Sequence, residues 1–228
     1  MIALEEQLKN PVWHSLNETH KKFAVEINGV RFYNPEVCPF GSFEDEGKTV
    51  VASNEYVKGT DEFFYVSENQ TPFVDDTKVA LVKKIDGCQM VLNQLANVEI
   101  TEKIVPLEKE MMDEIYDLVW LVMPGYYRKR TYEMGKYFGI FKDGKLVSVT
   151  GQRMQTDQFI EVSAVVTHPN YTRQGLAKQL IAHTTKEILE DGKTPILHTN
   201  KGNLAIPLYE KLGFELTRDM NWWLYRKL

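Results

Sequence analysis

From Val98 onward, apolar periods of two and of three to four alternate in an order that a mixed sheet flanked by helices accommodates. Val98 to Val105 reads as a strand. Glu108 to Val122 reads as a helix, with Met111, Met112, Ile115, Leu118, Val119 and Val122 on one stripe and Pro124-Gly125 as the stop. Tyr137 to Lys142 and Leu146 to Met154 are strands joined through Asp143-Gly144, a dipeptide suited to a type I′ turn. Phe159 to Thr167 is a strand that turns at His168-Pro169-Asn170. Gly175 to Leu189 is a helix ended by Gly192, and Pro195 to Thr199 is a buried strand. A short helix, Leu204 to Leu212, runs into Gly213, and Phe214 to Thr217 and Trp222 to Arg226 supply two closing strands. The expected fold class is α/β.

The first ninety or so residues are less regular and lean toward strands. Asn10 caps a short helix with Pro11 at its first position. Phe23 to Ile27 and Val30 to Tyr33 flank Asn28-Gly29, a second hairpin signal, and Glu62 to Val66 and Gln89 to Gln94 are further strands. The expected division is a smaller α+β domain over 1–97 and a larger α/β domain over 98–228, with no Pro/Gly-rich linker marking the joint. At 228 residues the chain holds one or two domains.

A net charge of −5 argues against a nucleic-acid binder working through a broad basic field. Cys38 and Cys88 stand far apart with no second Cys or His at ligand spacing, so neither a disulfide framework nor a metal site is expected. The acidic start, Met1-Ile2-Ala3-Leu4-Glu5-Glu6, is no signal peptide, and no run is long enough to span a bilayer. The expectation is a cytoplasmic protein with no membrane and no nucleic-acid partner. The sequence leaves its oligomeric state open.

Chemistry concentrates at the turn Tyr171-Thr172-Arg173-Gln174-Gly175-Leu176-Ala177 between a strand and a helix. A helix N-terminus leaves backbone N–H groups unpaired and carries partial positive charge, which suits a phosphate or pyrophosphate. Small residues at Gly175 and Ala177 let an anion reach those amides. Neither the G-x-G-x-x-G fingerprint nor the P-loop pattern is present.

The segment Val165-Val166-Thr167-His168-Pro169-Asn170-Tyr171-Thr172-Arg173-Gln174-Gly175-Leu176-Ala177 resembles the signature strand and turn of the Gcn5-related N-acetyltransferase (GNAT) family. Asn203-Leu204-Ala205-Ile206-Pro207-Leu208-Tyr209-Glu210-Lys211-Leu212-Gly213-Phe214 resembles that family's last helix. The resemblance covers Val98 to Arg226. Gly87 to Met90, with Asn10 to Trp13, resembles a subgroup that carries an extra N-terminal half, in some cases a decayed copy of the fold.

The resemblance implies acetyl-CoA, or another short acyl-CoA, as co-substrate and no metal. The turn amides of Arg173, Gln174, Gly175, Leu176, Ala177 and Lys178 would hold its pyrophosphate. Val165, Val166 and Thr167 would bond the pantetheine arm as an added strand does. The family pattern opens with Gln or Arg where this chain has Thr172, a loss of side-chain help in a grip made mostly by backbone. Asn203 resembles a cofactor-contacting Asn but stands one residue too close to Tyr209.

Transfer of an acyl group from a thioester to an amine needs a neutral amine, support for the oxyanion and a proton for the thiolate. Tyr209 matches the family's general acid. Glu161 is the base candidate, and its structural alternative is an ion pair with Arg153 on the neighbouring strand. Strand alternation would put Glu161, Ser163, Val165 and Thr167 on one face. The Val165 amide would hold the carbonyl oxygen. His168 and His198 are lone histidines of a kind more often structural.

The acceptor would be a small-molecule or peptide amine, met by Tyr126, Tyr127 and Arg130 after the first helix and walled by Asn221-Trp222-Trp223. The function so implied is an N-acyltransferase acting by direct attack on acyl-CoA. The rival is a non-enzymatic acyl-CoA-binding regulatory module.

Overall fold

The computed structural model describes residues 3–228; Met1 and Ile2 of the acidic start lie outside them. Local signals act where expected. The Asn10 side chain accepts the Trp13 N–H at the start of α2 (Pro11–Asn17), which follows α1 (Leu4–Lys9). Asn28-Gly29 and Asp143-Gly144 both take positive φ at both positions (51° and 73° in each), the demand of a type I′ turn. The first joins β1 (Ala24–Ile27) to β2 (Val30–Tyr33), and the second joins β7 (Tyr137–Lys142) to β8 (Lys145–Gln155).

The rest of the first half is β3 (Phe40–Ser42), α3 (Thr49–Tyr56), β4 (Glu62–Ser67) and a long β5 (Val79–Leu92). The second half continues with β6 (Ile104–Pro106), α4 (Met112–Val122), β9 (Phe159–Thr167), α5 (Leu176–Glu190), β10 (Thr194–Asn200), α6 (Ile206–Lys211) and β11 (Phe214–Lys227). The expected Val98–Val105 strand shrinks to β6. The two expected closing strands fuse into β11, which crosses Leu216 to Arg218 with a register shift against β5.

Among the described residues, eleven strands form one sheet, in the order β1-β2-β3-β4-β11-β5-β10-β9-β8-β7-β6. The two halves repeat a topology. β1, β2 and β3 are antiparallel, α3 crosses over, and β4 returns parallel to β3. Likewise β7, β8 and β9 are antiparallel, α5 crosses over, and β10 returns parallel to β9. The last strands are then exchanged. β5 of the first half pairs with β10, and β11 of the second half pairs with β4 from Asn221↔Ser67 to Arg226↔Glu62. β5 and β11 pair with each other from Phe214↔Leu92 to Lys227↔Val79. The division expected at 97 and 98 falls in the connection after β5, and the sheet runs unbroken across it.

Helices α5 and α6 cover one face of the second half, burying Ile181, Ile188 and Leu212 against Ile160, Val162 and Leu197. Helix α4 covers the opposite face, with Ile115, Leu118 and Val119 packed on Val149, Ala164 and Val166. Among the described residues, no helix is long and apolar enough to cross a membrane.

Candidate active site

The site is a fork in the sheet. β9 and β10 pair only from Phe159↔Thr194 to Glu161↔Ile196, then part, and β10 turns to pair with β5 alone. The cause is a bulge in β9. Ala164 takes φ +50°, and the register against β8 shifts between Gly151↔Ser163 and Val149↔Val166, which leaves one extra residue on β9. From Val162 onward the β9 edge facing β10 has no strand partner. Val165 and Thr167 therefore turn their backbone groups toward an extended chain of amides, whereas Val166 faces β8, its carbonyl accepting the Ser148 hydroxyl at 3.0 Å, which corrects the expectation for that residue.

The bulge also corrects the expected alternation. Val165 packs with Ile160 and Val162 on the α5 side, whereas Ala164 and Val166 pack under α4. Glu161 and Val165 thus do not share a face, because the extra residue inverts the period of two.

At the outer end of the fork, Arg173 (φ +61°) and Gly175 (φ +78°) bend the chain into α5, whose first turn carries no acidic residue. Gly175 caps the helix without a side-chain hydrogen bond, and nothing lies within 4 Å of where its Cβ would be. Thr172, Arg173, Gln174, Gly175 and Lys178 are exposed, while Leu176 is buried and anchors the turn. Together with the half-buried Ala177, these residues present the first amides of a fifteen-residue helix to open space, a donor set suited to a pyrophosphate.

Between the arms lies a cavity of about 180 Å³. Tyr209 of α6 lines it, and its hydroxyl has no hydrogen-bond partner among the described residues. Burial pushes that phenol up to about 12, so it keeps its proton at neutral pH. Asn203 also lines the cavity, but its amide is engaged: Oδ1 accepts the Ala205 N–H at 2.9 Å and Nδ2 donates to Thr199 Oγ1 at 2.6 Å.

Glu161 is fully buried and committed elsewhere. Arg153 Nε and Nη2 donate to its two oxygens at 2.7 and 2.6 Å, and His198 Nδ1 donates to Oε1 at 2.7 Å. The Met154 N–H adds a contact at 3.3 Å. Burial by itself would raise this carboxyl, but the charge and hydrogen bonds of Arg153 and then His198 outweigh it and hold the group well below the usual carboxylate range. A carboxylate so held is a poor proton acceptor at neutral pH. The ion pair is therefore the reading the geometry favours over the general base. His198 is tied at its other nitrogen too, where Gln89 Nε2 of β5 donates to Nε2 at 3.0 Å.

The expected acceptor residues separate. Tyr126 lines the cavity, stacked on Phe64 with ring centroids 5.3 Å apart. Tyr127 is instead buried beneath α4 against Tyr137, and Arg130 is held by Glu133 and Glu36, with Nε to Glu133 at 2.7 Å. Neither lines the cavity: Tyr127 turns into the core under α4, and Arg130 is drawn to the surface by its two carboxylates. Trp222 walls the site as expected, while Trp223 lies on the opposite face with Phe63 and Tyr225. His168 only closes its own turn, accepting the Asn170 N–H.

Sequence reasoning missed Phe40 and Ile85, which the first half contributes to the wall. No local pattern announces them, since strand exchange brings them there. Both cysteines are buried, and Cys38 is pushed up to about 12 by burial, which leaves it unreactive. Among the described residues, no cluster of three or more His, Cys, Asp or Glu is placed to hold a metal.

Residues 137–224 match the model of the family described as FR47-like protein. A search of the curated proteins finds no match. Among solved structures, an acetyltransferase assigned to the GNAT family from Novosphingobium aromaticivorans DSM 12444 is 28% identical, with a TM-score of 0.89 over 97% of this chain and 98% of that one. A GCN5-related N-acetyltransferase from Kribbella flavida is 12% identical, with a TM-score of 0.67 over 100% and 96%. A GCN5-related N-acetyltransferase-like protein from Streptococcus suis 89/1591 is 15% identical, with a TM-score of 0.65 over 98% and 97%. These last two likenesses are of fold, and they extend over both halves of the chain.

Proposed function

We propose that this GNAT-type chain is an N-acyltransferase that moves an acetyl or other short acyl group from acyl-CoA to a primary amine by direct attack. The observation that carries this reading is the fork. An open strand edge and an unpartnered phenol meet at one cavity, and the same strand leads through the next turn to a helix N-terminus with free amides.

Each residue then has a task. The amides of Arg173 to Lys178 hold the pyrophosphate, and the edge at Val165 and Thr167 aligns the pantetheine arm. The thioester supplies the acyl group. The acceptor amine attacks its carbonyl carbon as a C–N bond forms and the C–S bond breaks. The Val165 amide, turned by the bulge at Ala164, supports the oxygen as it gains charge. Tyr209 gives its proton to the departing thiolate and is reprotonated from solvent, which also takes the proton the amine loses. Glu161 does not take that proton. It fixes Arg153 and His198, so the amine enters neutral or loses its proton to water.

The test is calorimetric titration of the purified protein with acetyl-CoA beside Gly175→Glu. The wild type should bind, and the variant should lose at least a hundredfold in affinity. Since a Cβ at Gly175 meets no neighbour, the fold should lose only about 1 kcal/mol for the positive φ. A folded wild type that does not bind acetyl-CoA would sink the reading.

A further inference from the structure

The acceptor end of the cavity has a composition of its own. Its wall is apolar and aromatic, built from Phe40, Ile85, Met123, Tyr126 and Trp222. The one carboxylate near it, Glu161, is consumed by Arg153 and His198, so nothing there rewards a second cation on the acceptor. Arg153 is different. It spends Nε and Nη2 on Glu161 and lays its guanidinium over Phe40, 4.9 Å from the ring centroid. Its Nη1 has no partner among the described residues and is not sealed from the cavity, which Arg153 lines with 15% of its side chain exposed. A fixed guanidinium with a spare donor edge, set among aromatic rings, is a site for a carboxylate on an otherwise apolar molecule.

We infer that the acceptor is a free α-amino acid with an apolar or aromatic side chain, its carboxylate held by Arg153 Nη1 and its side chain by the aromatic wall. This rests on the acyltransferase reading above. The products are the N-acyl amino acid and CoA, with one amine proton passing to solvent and the thiolate taking one from Tyr209.

Paired acceptors test it on the wild-type protein. Acetyl-CoA consumption is followed with phenylalanine, leucine and tryptophan against 2-phenylethylamine, 3-methylbutylamine and tryptamine, compared at equal concentrations of free amine. Phenylalaninamide stands in for a peptide N-terminus. Each acid should exceed its decarboxylated partner in kcat/KM by about tenfold to a hundredfold, the range for a hydrogen bond to a charged group. Arg153→Lys, which keeps a cation for Glu161 but loses the spare edge, should shrink that ratio to about threefold with acetyl-CoA affinity unchanged. If the variant fails to fold, the wild-type pairs still decide. Equal or better turnover of the decarboxylated amines, or of the amide, overturns the inference. So does no turnover of any of them by a protein that binds acetyl-CoA, an outcome that leaves the acyltransferase reading standing. Failure to bind acetyl-CoA removes both.

Discussion

The sheet holds two forks of the same construction, and only one is open. In the second half, β9 and β10 part around a cavity, and the crossover into α5 passes through Arg173 and Gly175 with no acid in the helix's first turn. In the first half, β3 and β4 are likewise parallel and pair only at Phe40↔Phe64 and Gly41↔Tyr65. There the crossover reads Phe43-Glu44-Asp45-Glu46-Gly47-Lys48, and its charge repels an anion. The space beside it is filled. Phe43 meets Tyr65 edge-on at 5.3 Å, and the Tyr65 hydroxyl reaches Ser53 of α3 at 2.9 Å. One topology thus gives an open cleft where the turn carries Arg173 and Gly175 and no acid, and a packed core where the crossover is acidic and aromatic.

Three changes would break or sharpen that contrast. The largest effect belongs to the closed fork. Phe43→Ala empties a fully buried ring site and should cost about 3–5 kcal/mol in urea unfolding, with acetyl-CoA affinity unchanged. A large change in that affinity would mean that the closed fork serves the open one directly.

Next comes the joint between the halves. His20 is buried, with Nε2 against the Met134 carbonyl at 2.9 Å and Nδ1 near Ser15 and Tyr33. Burial lowers its pKa to about 4 from 6.5. The unfolded chain therefore binds the proton more readily than the folded one. Stability should fall as pH drops from about 6.5 to 4, by on the order of 3 kcal/mol. His20→Gln should flatten that slope in unfolding curves taken across the window, and a slope retained in the variant would assign it to other groups.

The smallest effect lies in the open fork. Tyr209→Phe should lower kcat about tenfold to a hundredfold, because a thiolate leaves tolerably without a proton, and should leave acetyl-CoA affinity within twofold. Unchanged turnover would remove Tyr209 from the mechanism.

The parts of the molecule legible in the sequence are those made by neighbours along the chain. The Asn10 cap, the two hairpin turns and the start of α5 depend on a few consecutive residues, and each appears where its signal lies. The strand edge and the turn into α5 share this property, since backbone geometry builds them. The wall of the cavity does not. Whether Glu161 is a base or an ion-pair partner depends on Arg153 and His198, which come from two other strands. The facing of Val165 depends on an extra residue that no period of two reveals. Phe40 and Ile85 reach the cavity only because β5 and β11 change places.

That exchange sets a schedule for the newborn chain. β4 emerges early, but the strand that completes its edge, β11, ends at Lys227. β5 in turn waits for both β10 and β11. At about 5–20 residues per second, the stretch from Leu92 to Lys227 takes roughly 7 to 27 seconds to synthesise. For that interval the first half holds a bare strand edge and cannot close, so it gains no head start from being made first. The two halves are born in sequence but must mature together.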